Sequence, residues 1–333
     1  MYDMSQLRAF QMWMKWSEGL CLLDFWPSSG NILKQKSFIA FGLLLLGAVS
    51  AEAEERKTLG WSLAISNDSM GDWHDRWQSS SIQNGILRGQ DWTGSAPSGF
   101  GQLMEYRFRT DILTPASLSS PVASDRRHAG VLAFGVHTYA ARSGYDLRVG
   151  GDLVVVGPQT GMLDFQTELH ELLGFTIPDL DNFQIPDQMH IDLSGEVSRV
   201  WRLGDVDVRP FGEVQIGSED LLRVGVDLTL GEWGRGDLMT RANVSGHRVS
   251  FGLTETKGLS LVAGADIARV FDSIYLPESF GHELTPVRTR VRGGVHYGGK
   301  RVDFFYGLTW LGKEFEAQPE GQFAGTAQIR FRF

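Results

Sequence analysis

The most direct sign of a metal site is an asparagine-aspartate pair that ends an alternating segment. The segment reads Leu63-Ala64-Ile65-Ser66-Asn67-Asp68. Hard cations such as Ca²⁺ take carboxylate and amide oxygens as ligands. Asn-Asp pairs are also common in ordinary turns, because both side chains hydrogen-bond the nearby backbone. The dipeptide alone therefore leaves two interpretations open, a cation site and a turn.

A histidine near the middle of the chain is the candidate general base. His170 stands within Gln166-Thr167-Glu168-Leu169-His170-Glu171. A neutral imidazole can take a proton from water near neutral pH. His170-Glu171 begins like the zinc motif H-E-x-x-H, but the fifth position is Gly174 and the motif fails. The alternative is a structural histidine on a helix.

A run of hydroxyl side chains lies between these two candidates in the sequence. It reads Asp75-Arg76-Trp77-Gln78-Ser79-Ser80-Ser81. Serine hydroxyls can donate hydrogen bonds to the oxyanion that develops when an ester is attacked. The alternative is that the run is only the polar entry to a strand.

The elements that must position these residues show apolar and polar side chains in strict alternation. Leu222, Val224, Val226, Leu228 and Leu230 interleave with Arg223, Gly225, Asp227 and Thr229. Period-two alternation places the two sets on opposite faces of a β-strand. The same pattern recurs at 191–198, 287–297 and 302–310.

Alternation also occurs in soluble β-sandwiches, and two features favour a membrane barrel instead. The segments have roughly the 9–11 residues that a tilted membrane strand needs. The chain also ends on an alternating segment, 323–333, that closes on Phe333 and resembles the assembly signal of outer-membrane barrels. A bilayer requires every backbone group to be paired, so such strands close into a barrel with apolar residues facing lipid.

The predicted fold is therefore all-β, a transmembrane antiparallel β-barrel of about 12 strands over residues 60–333. Alternation weakens at 232–258, where the strand count is least certain. Trp310, Tyr306 and Tyr297 are candidates for the interfacial aromatic girdle. Large inward side chains should narrow the lumen: Arg288, Arg290, Arg292, Arg330 and Arg332. Expected turns are Gly144, Gly204-Asp205, Gly217-Ser218, Gly231 and Gly298-Gly299.

One segment breaks the alternation and predicts a short helix in an extracellular-side loop. Thr160 to Phe175 places Leu163, Gln166, Leu169, His170 and Leu173 at helical spacing. It follows the strand-like run Leu153 to Val156, which stops at Gly157-Pro158. Loops over a barrel rim are a usual place for function.

The N-terminal region has the three parts of a secretory signal peptide, assigned to residues 34–53. Lys34-Gln35-Lys36 precedes the apolar run Phe38 to Val49, and small-residue cleavage sites follow at Ala51 and Ala53. The alternative is a membrane anchor, but the run is short for a spanning helix. We hypothesise that residues 1–33 are a mis-annotated extension, with translation starting near Ile32 or Leu33. Detecting a peptide from 1–33 by mass spectrometry would disprove this.

Composition excludes several function classes. The net charge of −9 argues against a nucleic-acid partner, which requires a clustered basic surface. The only cysteine, Cys21, precedes the predicted cleavage site. The processed protein would then have no disulfide, thiolate nucleophile or cysteine-bound metal.

Together these motifs resemble the lipid A 3′-O-deacylase (LpxR) family, from about Gly60 to Phe333. The likeness is densest at five places, in order: Ile65 to Asp68, Asp111 to Pro115, Asp125 to Gly130, Val156 to Pro158, and Gln166 to Gly174. The resemblance implies a twelve-stranded barrel in the Gram-negative outer membrane, inserted by the barrel-assembly machinery. It also implies a site near the outer rim that uses calcium to hydrolyse the 3′-acyloxyacyl ester of lipid A, the lipid anchor of lipopolysaccharide.

Carried over by position, the resemblance implies roles for four residues. His170 matches the base that activates water, Asn67 and Asp68 match the calcium-binding pair, and Ser79 falls where the family has a site threonine. A family lysine would fall near Ser120, where this sequence has none; Arg126 or Arg127 could replace its charge. The missing lysine favours an alternative, a catalytically silent or channel-forming (porin-like) barrel, whereas the four retained residues favour the deacylase.

Overall fold

The computed structural model describes residues 56–331, in which twelve long antiparallel strands form the wall of a closed β-barrel. The predicted fold class and strand number are therefore confirmed. The wall strands are β1 (Lys57–Asn67), β2 (Trp77–Gly89), β3 (Met104–Thr114), β4 (Ala129–Arg142), β5 (Tyr145–Val156), β6 (Gln188–Ser198), β8 (Val206–Ile216), β9 (Glu219–Leu230), β12 (Gly258–Ser273), β13 (Arg288–Gly298), β14 (Val302–Leu311) and β15 (Gln322–Phe331). Three short strands are β7 (Trp201–Leu203), β10 (Met239–Arg241) and β11 (Arg248–Ser250).

The barrel closes where the first wall strand pairs with the last. Ile65, Ser66 and Asn67 of β1 lie opposite Ala327, Thr326 and Gly325 of β15. The other wall strands pair antiparallel in chain order, so that β8 follows β6 and β12 follows β9. The turns expected from glycine lie between paired strands, and Gly144, Gly204 and Gly217 have positive φ.

The outward face is apolar, as the alternation predicts for a surface in contact with lipid. On β9, Leu222, Val224 and Leu230 are about half exposed, whereas Asp227 on the other face is buried. The tyrosine and tryptophan expected at the interfaces, Tyr297 and Trp310, also face outward.

Ion pairs fill much of the lumen, beside small apolar clusters such as that of Trp233, Met239 and Phe305. Asp227 accepts hydrogen bonds from Arg209, Arg241 and Arg292, and Asp266 accepts them from Arg290 and Arg292. Buried charges are tolerated when each is paired and hydrogen-bonded. The inward position predicted for Arg288, Arg290 and Arg292 is confirmed.

A segment at 231–257, here called the lumen segment, enters the barrel and carries the hairpin β10–β11. It bonds the wall from inside: the Gln83 amide donates to Arg241 O, Arg290 to Asn243 O, and Thr309 Oγ1 to Ser245 O. This explains the weak alternation at 232–258, because a segment enclosed in the lumen has no lipid-facing side. The predictions for 1–33, the signal peptide at 34–53, Cys21, Arg332 and Phe333 lie outside the described residues.

We expect the refolded protein to conduct poorly in planar bilayers, because ion pairs and the lumen segment occupy the barrel interior. Deleting 235–253, and joining the ends with glycine and serine, should raise conductance. Robust open-channel currents from the unmodified protein would contradict this and favour the channel alternative.

The predicted helix is confirmed as α1 (Met162–Leu173), after a 3-10 turn at Pro158–Thr160. Gly161 and Gly174 cap its two ends in the left-handed conformation, with φ of 66° and 73°. Its buried residues are Leu163, Gln166 and His170. Leu169 and Leu173, expected on the same face, are instead exposed at 39% and 53%. Among residues 56–331, no helix is long and apolar enough to cross a membrane.

Candidate functional site

The end of β1 and the start of β2 bring three of the four candidates together. Asn67 lies opposite Ser80 in the β1–β2 ladder, and the Asp68 amide donates to Ser79 O at 3.1 Å. Ser79 itself is the extra residue of a β-bulge against β3, between Gln78 and Ser80. Bulges often stand beside active sites, because they re-aim a side chain.

Helix α1 lies on the outer face of the barrel wall, over β4. A Cβ added to Gly130 would fall 2.5 Å from Met162 Cβ. Gly130 shares the face of Phe134 and Val136, which are 52% and 45% exposed on the lipid side. Glycine at this strand position is what permits so close an approach.

The loop 68–76 also lies on the outer face of the wall, over β14 and β15. A Cβ on Gly325 would fall 2.6 Å from Met70 Cβ, and Tyr306 Oη donates to Met70 O at 2.5 Å. Gly325 lies on the outward face with the exposed Phe323 and Ile329. The two elements that carry the candidate site therefore both lie against the lipid-facing side of the rim.

His170 has a hydrogen bond at one ring nitrogen and faces a carboxylate with the other. Its Nδ1 lies 2.6 Å from Thr176 O, and its Nε2 lies 3.0 Å from Asp75 Oδ2. A carbonyl only accepts, so Nδ1 carries a proton and Nε2 is the basic position of the neutral ring. Because Nε2 faces a carboxylate, this geometry is the one that stabilises the ring after it has gained a second proton.

Asp75 is the site residue that sequence reasoning missed. It accepts hydrogen bonds from Ser79 Oγ at 2.6 Å and from Gln166 Nε2 at 3.2 Å, in addition to its contact with His170. It therefore joins β2 to α1. The only sequence signal was an acid four residues before Ser79, and nothing in the local sequence connects it to a distant helix.

The Ser79 hydroxyl, expected to face a developing oxyanion, donates to Asp75 in this structure. It thus orients the carboxylate that faces His170. In this structure Ser79 belongs to the site through Asp75.

Asp68 is buried at the base of the 68–76 loop. Its Oδ2 accepts from the Arg76 amide at 2.8 Å, and its carbonyl accepts from three amides of the loop, at Gly71, Asp72 and Trp73. Burial, reinforced by the negative charge of Asp75, raises the pKa of Asp68 to about 8. An ionised Asp68 is thus short of positive charge, with only backbone donors to offset it.

The donors at this loop suit a hard cation in type. Asp68 offers a carboxylate, and Asn67 offers an amide oxygen that now accepts from the Ser69 amide and hydroxyl. Within 56–331 no three histidine, cysteine or acidic side chains are grouped around one point as metal ligands. A cation here would displace the Ser69 hydroxyl and take its remaining ligands from backbone carbonyls and water, as Ca²⁺ commonly does.

The region near Ser120 holds no basic residue, and the two nearby arginines are engaged. Arg126 pairs with Glu314 at 2.5 Å, so its charge is already compensated. Arg127 stacks on Phe280 and Phe183, at 4.1 and 4.9 Å, through cation–π contacts. Of the two residues considered as substitutes for a lysine, Arg127 is the one without a carboxylate partner.

Large apolar side chains on α1 and in the residues after it are exposed. Phe165, Leu172, Phe175 and Ile177 are 45%, 79%, 58% and 51% exposed. The acids of the helix, Asp164, Glu168 and Glu171, are exposed as well. Exposed apolar side chains of this size suit a contact with lipid or protein. Phe175 meets the ring of His170 edge-on.

His128 fixes the chain that follows the helix, and this docking should depend on pH. Its amide donates to Phe183 O, and its carbonyl accepts from the Ile185 amide at 2.8 Å. Burial lowers the pKa of His128 to about 4, below its ordinary value of 6.5. The neutral ring therefore contributes stability that is complete above pH 6.5 and is lost as pH falls toward 4.

The protection of the Ile185 amide against hydrogen exchange, relative to its intrinsic rate, should fall over this pH range. It should fall by more than the protection of amides that exchange only by global unfolding. A His128→Gln variant should lose the pH dependence, and an unchanged dependence would contradict this origin.

Comparison with known proteins identifies what the chain is similar to. The family model described as "Outer membrane protein LpxR" matches residues 38–333. Among solved structures, LpxR from Salmonella typhimurium superposes with a TM-score of 0.67 at 19% identity, covering 82% of this chain and 100% of that one. The β-domain of the Bordetella autotransporter BrkA covers 82% and 99% at 15% identity, but its TM-score is only 0.39. No curated protein matches the chain in sequence.

Proposed function

This chain belongs to the LpxR family of outer membrane proteins, and from that premise we propose that it hydrolyses the 3′-acyloxyacyl ester of lipid A. The observation that carries the proposal is the His170–Asp75 pair, held against the lipid-facing side of the barrel rim beside Asn67 and Asp68. A site in that position meets the ester of a lipid in the same membrane without extracting it.

In the proposed mechanism His170 is the general base. Nε2 takes a proton from a water molecule as the water attacks the ester carbonyl, while Nδ1–H remains bonded to Thr176 O. Asp75 then faces an imidazolium and stabilises its charge. The same proton passes from Nε2 to the sugar oxygen that leaves, which releases the fatty acid. No serine or cysteine nucleophile is needed.

Calcium is the cofactor we propose, with Asn67 and Asp68 as its side-chain ligands. A bound Ca²⁺ would supply a Lewis acid for the ester carbonyl oxygen. Support comes from the all-oxygen donor set and from the acid-rich loop around the buried Asp68. Ser79 acts by holding Asp75.

The exposed apolar side chains on and after α1 support an acylated lipid as the substrate. One of them, Phe175, meets the ring of His170 edge-on. Acyl chains in the outer leaflet would contact these side chains while the sugar ester lies at the level of His170. The filled lumen counts against transport as the function.

The second candidate is a catalytically silent barrel, and one observation favours it. The segment around Ser120 has no lysine, and Arg126 is committed to Glu314. If a positive charge there is essential, the protein keeps the fold without the activity. Hydrolysis by the unmodified protein would exclude the silent barrel, and its loss in Arg127→Gln would show that Arg127 has replaced the lysine.

We expect Asp75→Asn to lower the rate of ester hydrolysis about 10²-fold, the lower end of the range for general acid–base groups. In this variant Thr176 O still fixes the tautomer of His170. The rate falls because the protonated ring of His170 no longer faces the negative charge of Asp75. The loss should appear in kcat and not in KM, because Asp75 faces His170 and not the acyl chains. Glu168→Gln, which changes an exposed acid on the same helix, is the matched control and should keep the full rate.

The proposed calcium requirement is tested by titrating CaCl₂ into chelator-treated enzyme with lipid A in mixed micelles. Fatty acid release should rise with calcium and saturate, and Asp68→Asn should need far more calcium for the same rate. Equal rates in excess chelator and in calcium would contradict the requirement.

A further inference from the structure

A cavity of about 190 Å³ lies at the end of the barrel opposite the candidate site. It lies at the end where β1 begins and β15 ends, between the wall strands β5, β6, β8 and β9 and the first part of the lumen segment. The short turns 143–144, 204–205 and 299–301 lie at this end, which is the periplasmic side of an outer-membrane barrel. Its volume equals about six waters at liquid density.

Six arginines and five acids make up the charged lining of this cavity. Five of the six arginines have a carboxylate partner. The pairs are Arg148–Glu213, Arg202–Asp207, Arg209–Glu196, Arg235–Asp207 and Arg241–Asp227. The guanidinium of the sixth, Arg248, has no hydrogen bond or ion pair with any residue in 56–331, although its backbone belongs to the β10–β11 ladder.

Arg248 is held where its charge is poorly compensated. It lies directly opposite Arg241 in the β10–β11 ladder, so both side chains are on the same face. Arg209, a like charge, and the acid Asp227 line the same cavity. Asp227, however, already accepts from Arg209, Arg241 and Arg292. The other lining acids are also engaged or exposed: Asp237 accepts from Ser250, and Asp146 is at the exposed lip.

We propose that this cavity binds a phosphate-type oxyanion, with Arg248 as its charged ligand. A guanidinium presents paired donors that match the oxygens of phosphate. A bound anion would also relieve the repulsion between Arg248 and the neighbouring Arg209 and Arg241. The ligand is either free phosphate or the headgroup phosphate of a periplasm-facing phospholipid. This site is separate from ester hydrolysis and stands whether or not the protein is a deacylase.

The test measures binding of inorganic phosphate to the refolded barrel by titration calorimetry, in a maltoside detergent that contains no phosphate. Arg248→Met should weaken binding at least about tenfold, the loss expected for a charge-assisted hydrogen bond. Arg248→Lys keeps the positive charge but lacks the paired N–H donors of a guanidinium. Its affinity for phosphate should lie between those of the unmodified protein and Arg248→Met. Arg301→Met, an exposed arginine in the turn at the same end, is the matched control and should bind like the unmodified protein.

Thermal unfolding provides a second measurement, because it also reports the stability of each variant without phosphate. Phosphate should raise the melting temperature of the unmodified protein and of Arg301→Met but not of Arg248→Met. Without phosphate, Arg248→Met should melt no lower than the unmodified protein, because the side chain it removes has no partner to lose.

The source of the phosphate is decided by repeating the comparison in nanodiscs of phosphatidylglycerol and of an uncharged glycolipid. Stabilisation by phosphatidylglycerol that depends on Arg248, without binding of inorganic phosphate, assigns the lipid headgroup. Binding of inorganic phosphate assigns the free anion. Binding that is unchanged in Arg248→Met, or no saturable response to either probe, overturns the proposal.

Discussion

Replacing His170 by alanine is expected to lower the rate of lipid A ester hydrolysis about 10³-fold, within the range for loss of a general base. Among the described residues that contact Asp75, only the imidazole has a basic position of its own, and both of its nitrogens are already oriented. The loss should appear in kcat, because the ring acts on water and not on the acyl chains. Release of fatty acid, quantified by chromatography, is the measurement.

The control for this variant is His190→Ala, which removes a partly exposed histidine that bonds to Gln188 at the start of β6. It should retain the full rate. Heat-modifiable migration on gels establishes that both variants are folded barrels. A His170→Ala protein that is folded and still active would remove His170 from the mechanism.

Replacing Asp227 by alanine should cost about 3–5 kcal/mol of unfolding free energy, the loss expected when one partner of a buried ionic network is removed. Asp227 is hydrogen-bonded to Arg209, Arg241 and Arg292, and Arg241 belongs to the lumen segment. Three guanidinium groups would therefore lose their shared acceptor. Because Arg241 anchors the hairpin, conductance should also rise as the lumen segment loosens.

The comparison for Asp227 is Asp91→Ala, which removes the exposed partner of Lys57. That pair is 62% and 75% exposed, and exposed pairs are worth about 0–1 kcal/mol. Denaturant unfolding from lipid vesicles compares the two. If Asp227→Ala prevents folding, Asp227→Asn keeps the shape and should give a smaller loss in the same direction. Equal stability of Asp227→Asn and the unmodified protein would contradict the role given to the network.

The wall of the barrel follows from the sequence because its signal is local. A strand between lipid and lumen must alternate at every residue, so Leu222 to Leu230 suffices to place each side chain. The lumen segment gives no such signal. Its environment is set by Gln83, Arg290 and Thr309, which come from distant strands.

The candidate site also has a part that local sequence predicts and a part that it does not. Local motifs were enough to name four residues in advance: Asn67, Asp68, Ser79 and His170. The role of Asp75 could not, because it depends on how α1 docks over Gly130 and turns His170 toward the 68–76 loop. The exposed Leu169 and Leu173 were misplaced for a related reason. A helix on the lipid side of a barrel gains nothing by burying all its apolar residues against the wall.

Mass spectrometry of lipid A tests most directly whether this barrel removes the 3′-acyloxyacyl group of lipid A. Lipid A is incubated with the refolded barrel in calcium, and with folded His170→Ala as the control. The unmodified protein should lower the lipid A mass by that of one acyloxyacyl group, and the variant should leave it unchanged. An unchanged mass with the unmodified, folded protein in calcium would contradict the proposed activity and favour the silent barrel without a lysine near Ser120.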